Sequence, residues 1–263
     1  MTWRIEEKFV ALAKAKRKAL ITFIMGGDPD RIASERILAA LPGAGADIIE
    51  IGMPFSDPMA DGPNIQAAGL RALTSGTTLK DILALVLSFR VHDKTTPLIL
   101  MGYYNPIYRY GVEAFCNDAV AAGADGVILV DLPPEEEKEF IEIANEHDLK
   151  LIRLIAPTTD DARFSLLTQS AGGFLYYISV AGITGTKSAD MALLEARVRH
   201  IKSRTALPIA VGFGIKTPSQ AAKVAGFSDA VVVGSALVEI LASNTPETAM
   251  DFVRSLREAM DRG

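Results

Sequence analysis

Eight short runs rich in isoleucine, valine and leucine recur along the chain, and that recurrence limits its fold more than any other feature. They are LITFIMGG from Leu20, DIIEIG from Asp47, PLILMGYY from Pro97, GVILVDLP from Gly126, KLIRLIAP from Lys150, GFLYYISV from Gly173, PIAVGFGI from Pro208 and AVVVGSAL from Ala230. Continuous apolar runs, as opposed to alternating ones, belong to parallel strands covered on both faces. Helix-like segments separate them: Arg31 to Leu41, Thr78 to Val91, Gly111 to Ala122, Pro134 to His147, Asp161 to Ser170, Asp190 to Arg204, Pro218 to Ala225 and a C-terminal pair ending near Asp261. Thr217 followed by Pro218 is a helix start, because proline has no N–H to lose at the first helical position. Eight such units predict an α/β chain folded as a single (β/α)8 TIM barrel. An open doubly wound sheet would use fewer strands and carry a G-x-G-x-x-G turn after the first, and GGDPD from Gly26 is not one. Residues 2 to 17 predict an extra N-terminal helix with Ile5, Phe9, Leu12 and Ala13 on its apolar stripe.

With 263 residues, 49% of them hydrophobic, and no linker or low-complexity run, the expectation is one barrel domain over residues 1 to 263. The net charge of −5 and pI near 5.3 argue against a nucleic-acid partner. The only basic run, Lys14, Lys16, Arg17 and Lys18, reads as the solvated end of the first helix. Cys116 stands alone, which excludes an intrachain disulfide, fits a reducing compartment, and within VEAFCNDAVAAG reads as packing. Met1 to Lys18 is charged throughout, unlike a signal peptide, and no apolar run reaches the roughly 18 residues of a membrane span. A soluble, cytoplasmic protein with no membrane partner is therefore expected.

Barrel active sites lie where strands end and their following loops begin. The second run ends in such a stretch, IIEIGMPFSDPMADGPNIQ from Ile48 to Gln66. Strand alternation puts Ile48, Glu50 and Gly52 on one face and Ile49 and Ile51 on the other. A carboxylate in that setting is costly to bury charged, so its pKa rises toward the range of a proton-transferring acid/base. The competing reading makes Glu50 a structural acid paired with a donor, and Asp57 and Asp61 turn formers beside Pro58 and Gly62. Glu50, Asp61, Tyr103, Asn105, Asp131, Tyr176, Thr184 and Gly214 all fall on the catalytic face. His92, His147 and His200 fall near helix ends on the opposite face, where the helix dipole accounts for them. They are not clustered as metal ligands would be. No lysine lies inside a strand, where a Schiff-base amine would be desolvated: Lys150 enters from below, while Lys187 and Lys216 belong to upper loops.

Two glycine-bearing turns, GFGIKTPS from Gly212 and VGSAL from Val233, follow the seventh and eighth runs. Barrels use these turns and a short helix N-terminus to hold phosphate, which points to Gly214, Gly234 and Ser235. Tight turns need glycine in any case. The loop VAGITGTKSADM from Val180 is long, with Gly182 and Gly185 as hinges of a lid or as parts of a passive loop. Tyr176, Phe213 and Phe23 form an apolar slot for a flat ring, or pack the barrel.

IEIGMPFSDPMADGPNIQ, MGYYNPI, GVILVDLPPEE, YYISVAGITG, GFGI and VGSA, in this order and spacing, resemble the tryptophan synthase α-subunit family over essentially the whole chain. Met59 stands where leucine is more usual, and Val180 follows Ser179 at a variable position. The resemblance implies retro-aldol cleavage of indole-3-glycerol phosphate to indole and glyceraldehyde 3-phosphate. It gives Glu50 the general acid/base role and Asp61 the carboxylate that accepts the indole N–H. Gly185, Gly214, Gly234 and Ser235 match the phosphate contacts. Tyr176 flanks the substrate, and Thr184 is a lid residue that positions Asp61. Phe23, Ile65, Met101, Ile128, Leu154 and Phe213 map to the indole pocket. No cofactor is implied in this chain; pyridoxal phosphate belongs to a β subunit in an αββα tetramer. The partner surface would include Pro54, Asp57, Pro58, Asn105 and Tyr108. Two other readings stand beside it. A different phosphate-binding barrel enzyme would carry a catalytic lysine or a Cys/Asp pair, and none is found. An idle barrel kept as an allosteric subunit would lack Glu50 or Asp61, and both are present.

Overall fold

The structure, a computed structural model, describes residues 4–178 and 187–263. Nine parallel strand segments form one nearly closed sheet: β1 (Ala19–Met25), β2 (Ile48–Gly52), β3 (Leu98–Gly102), β4 (Gly126–Leu129), β5 (Lys150–Leu151), β6 (Arg153–Ile155), β7 (Leu175–Ile178), β8 (Ile209–Gly212) and β9 (Ala230–Val233). Their order is β5-β4-β3-β2-β1-β9-β8-β7-β6. β5 and β6 are halves of the fifth apolar run, parted at Ile152. β5 pairs only with β4 and β6 with β7, and Ile152 still donates to the Val127 carbonyl at 2.9 Å. The ring therefore closes through the chain itself at a kinked strand, and eight runs make a (β/α)8 barrel, as the alternation predicts.

Alternation within the strands sorts their side chains into two cores. Ile21, Ile48, Ile99, Ile128, Ile152, Phe174, Ala210 and Val232 fill the barrel interior. Ile49, Ile51, Leu98, Leu100, Val127, Val211 and Val231 face outward against the helices. Each fully buried isoleucine, leucine, valine or phenylalanine among them stabilises the fold by roughly 1.5–3 kcal/mol. The lower mouth is stoppered by α1 (Arg4–Lys14), whose Ile5 and Leu12 join the interior core while Phe9 meets Phe174 at 5.9 Å between ring centres. Ala13 is exposed, contrary to the expected stripe, because it lies one helical step round from the buried Ile5 and Leu12 line.

Several helices lie where expected: α2 (Arg31–Ala44), α4 (Leu79–His92), α6 (Val112–Ala122), α8 (Asp161–Gln169) and α10 (Pro218–Ala225). α4 and α10 open with capping boxes at Thr78 and Thr217. α9 (Lys187–Lys202), α11 (Ser235–Ser243) and α12 (Pro246–Arg262) complete the C-terminal half. α7 (Lys138–Glu146) begins later than the expected Pro134, since the chain from Pro133 first makes a turn. Two helices occupy stretches that read as loops. α3 (Pro63–Thr74) buries only Ala68, Gly69 and Ala72, too little apolar bulk for a periodic signal; α5 (Tyr104–Tyr110) has seven residues, about two turns. No helix among the described residues is long and apolar enough to cross a membrane. Cys116 is buried and its thiol is pushed up to about 12 by burial, as a packing residue.

A repeated carboxylate secures the lower rim. Asp47, Asp125 and Asp229 each immediately precede a strand, and each accepts from the first or second backbone N–H of a neighbouring strand: Leu20, Leu98 and Ile209, at 2.8 to 3.0 Å. Each also meets a cation, respectively Arg257, Arg90 with Arg4, and Lys202. In the corresponding place before β7 stands Phe174, buried under α1.

Candidate active site

The upper mouth is built differently. Register pairs Phe23 with Glu50 and Gly52 with Met101, so these side chains turn into the barrel near its top. Glu50 is 1% exposed and, among the described residues, neither carboxylate oxygen has a hydrogen-bond partner. No donor that would pair Glu50 as a structural acid stands among the described residues. Burial alone pushes its pKa to about 8, so at neutral pH it is an acid that still holds its proton. Tyr176, half-buried beside it, has its hydroxyl raised well above its ordinary value by burial and then by the Glu50 charge, so it stays protonated.

Glu50 opens on a cavity of about 190 Å³ lined by Phe23, Asp61, Ile65, Met101, Tyr176, Gly214, Gly234 and Ser235. Glycines hold this space open: a Cβ on Gly52 would come within 2.6 Å of the Phe23 ring, and one on Gly212 within 2.7 Å of the Tyr176 ring. Gly214 takes φ +59°, which admits glycine readily and bares its backbone toward the cavity. Gly234 and Ser235 begin α11, so a helix N-terminus with its free N–H groups closes the same rim.

Asp61 ends the loop after β2. The Gln66 amide donates to the carbonyls of Asp61 (2.9 Å) and Pro58 (3.3 Å), and the Ala60 N–H donates to the Tyr103 hydroxyl (3.0 Å). Burial raises the Asp61 pKa, and the Tyr103 hydroxyl opposes that rise. A second cavity of about 540 Å³ shares Asp61, Met101 and Ile178 with the first and is lined further by Leu154 and Asp131.

Two expected pocket residues lie elsewhere. Phe213 follows inward-facing Gly212, so alternation turns it outward onto the helix-side core. Ile128 points inward but is wholly buried in the barrel interior and lines neither cavity. Thr184 and Gly185 lie outside the described residues. The structure adds Ile178, Ile215, Lys216 and Val232 to the lining. Lys216 was legible as a cation beside the GFGI turn; the aliphatic side chains were not separable from core. On the outer surface Asp57, Asn105 and Tyr108 are exposed and Pro54 and Pro58 half-buried, around Met59 at 81% exposure. Among the described residues no group of His, Cys, Asp and Glu could hold a metal ion.

Residues 9–262 match the family model described as tryptophan synthase alpha chain. Tryptophan synthase subunit alpha from Legionella pneumophila str. Paris is 42% identical, with 99% of each chain covered and a TM-score of 0.92. A protein from Aquifex aeolicus VF5 is 37% identical over 97% of this chain and 98% of its own, with a TM-score of 0.90. Tryptophan synthase from M. tuberculosis, in an aminoacrylate-bound form, is 35% identical over 98% and 99%, with a TM-score of 0.88. With a family match over nearly its whole length and an enclosed acid at the mouth of the matching barrel, the chain belongs to the tryptophan synthase alpha chain family of lyases and has the alpha-subunit role in tryptophan biosynthesis.

Proposed function

We propose that the upper cavity cleaves indole-3-glycerol phosphate by carboxylate acid/base catalysis, within one barrel domain formed by residues 1 to 263. The observation that carries this reading is Glu50, buried without a partner among the described residues and holding its proton at neutral pH. Glu50 protonates indole C3, which makes the ring the electron sink. The bond from C3 to the glycerol carbon then breaks, its electrons return to the ring, and the carbinol hydroxyl becomes the aldehyde. Glu50, now a carboxylate, recovers the hydroxyl proton, so one proton enters and one leaves. Asp61 accepts the indole N–H and stabilises the positive charge that develops on the ring. Phe23, Ile65, Met101 and Tyr176 hold the ring and its neighbours. The backbone at Gly214, Gly234 and Ser235 receives the phosphate, with Lys216 nearby. Leu154 belongs to the adjoining cavity, and Thr184 and Gly185 are assigned by resemblance alone.

This chain carries no cofactor of its own in this reading. Its partner is a β subunit bearing pyridoxal phosphate, in an αββα tetramer, docked on Pro54, Asp57, Pro58, Asn105 and Tyr108. The exposed Met59 among them supports an apolar contact there. The test is indole release by the purified chain, with and without a β partner. Glu50→Gln keeps size and hydrogen bonding but has no proton to transfer. It is expected to bind substrate and to lose about 10²–10⁴-fold in turnover. Equal turnover by the two proteins would return Glu50 to a structural role.

A further inference from the structure

Asp61 must do two things in the reading above: remain ionised although burial resists it, and present one oxygen to the ring N–H. Backbone contacts do neither, because Gln66 grips the loop only by the carbonyls of Pro58 and Asp61. The phenol of Tyr103 is different. It is 3% exposed, its ring packs on Phe55 at 5.3 Å between centres, and the chain after it is fixed by the Tyr104 N–H donating to Asp131 at 2.8 Å. Its oxygen accepts the Ala60 N–H at 3.0 Å, so its own proton is directed away from that bond. The residue next to that amide is Asp61, and the Tyr103 hydroxyl opposes the rise that burial imposes on its carboxylate.

We propose that Tyr103 is a positioning residue, whose hydroxyl takes the Ala60 amide as donor and gives its proton to Asp61, aiming that carboxylate at the substrate's ring N–H. The proposal rests on the acid/base reading of the site. The phenol never touches substrate; it acts through Asp61. Other ionisable groups face Asp61 across the two cavities: Glu50, Tyr176 and Lys216 in the first, Asp131, Arg153 and Arg163 in the second. None of these hydrogen-bonds to Asp61 among the described residues.

The experiment is the pH profile of kcat/KM for indole formation. Its acid limb reports Asp61 ionisation, and its basic limb reports loss of the Glu50 proton. Removing a donor to a carboxylate raises its pKa. Tyr103→Phe is therefore expected to move the acid limb up by about one pH unit, a tenfold change in ionisation constant. 3-Fluorotyrosine at position 103 keeps the ring and is a stronger donor, so the limb should move down. Gln66→Met loosens the loop without touching the carboxylate and should lower kcat with the limb unmoved. An acid limb at the wild-type pH in both position-103 variants overturns the proposal. Should Tyr103→Phe fail to fold, the fluorinated protein decides alone. Asp61→Asn separates the two levels. If it turns over like wild type, the role of Asp61 fails and Tyr103 with it; if it is crippled while the limb stays fixed in the Tyr103 variants, only the Tyr103 inference falls.

Discussion

The two mouths of the barrel both bury acids, and they treat them in opposite ways. At the lower rim Asp125 has no exposure and is saturated: Arg90 at 2.7 Å, Arg4 at 2.8 Å and the Leu98 N–H at 2.8 Å. Asp47 is similar, since Leu20 N–H and Arg257 pull against the rise that burial imposes. At the upper mouth Glu50 has burial and, among the described residues, nothing to oppose it. A paired buried acid fixes the backbone around it, because removing a partner strands a charge in a medium that cannot solvate it. An unpaired one costs stability and gains a proton it can transfer near neutral pH. The bottom of the molecule spends its carboxylates on holding strands together; the top leaves one uncompensated beside an open cavity.

The largest stability effect should come from breaking the saturated rim. Asp125→Ala leaves Arg90, 5% exposed, without its carboxylate and Leu98 N–H without an acceptor. A loss of about 3–5 kcal/mol is expected for a buried pair cut on one side. Urea unfolding would measure it, and the surviving folded fraction should retain the wild-type pH profile. A variant as stable as wild type would mean that the rim carboxylate is dispensable, and the contrast between the two mouths would fail.

Most of this contrast was legible in the sequence at the top and almost none of it at the bottom. Glu50 announces itself because an acid between two isoleucines in a strand has few explanations, and Asp61, Gly214, Gly234 and Ser235 follow once strand ends are known. The barrel itself is written in eight apolar runs, since a strand covered on both faces must be apolar throughout. The three aspartates look like ordinary helix-to-strand turn residues, because their partners Arg257, Arg90 and Lys202 lie far away along the chain or on another element. Phe213 shows the same limit on the other side. An aromatic at a strand end is apolar whether it faces the cavity or the helices, and the one-residue phase that decides it is fixed by register with the neighbouring strand. α3 escaped for a related reason: helices that pack by alanine and glycine bury little bulk and leave little periodicity.

A middle-sized effect should appear at the unsaturated acid. Unfolded, Glu50 would release its proton near its ordinary 4.5; folded, it holds the proton to about 8. The native state thus binds the extra proton between those values, so wild-type stability falls as pH rises through that window and is level above it. Glu50→Gln has no charge to bury. It should match wild type near pH 4 and exceed it at pH 9 by on the order of 2 kcal/mol, once water reaching the cavity has softened the full shift. Parallel melting curves at the two pH values test this, and a stability difference that does not change with pH would mean that Glu50 finds a partner in solution.

The smallest effect should come from trimming the saturated rim without stranding a charge. Arg4 joins α1 to Asp125 at 2.8 Å and to the Lys94 carbonyl at 2.7 Å, with its side chain 19% exposed. In Arg4→Met the carboxylate keeps Arg90 and the Leu98 N–H, and the methionine keeps the apolar stem. Only about 1 kcal/mol should be lost, the net worth of one hydrogen bond, because the buried carboxylate keeps its other partners. The loss should be local: amide exchange should quicken in α1, whose Ile5 and Leu12 would still plug the barrel, and remain as before in β3 and β4. Equal quickening in those strands would show that Arg4 and Arg90 act as one unit, and that the rim is held by the whole cluster and not by each pairing separately.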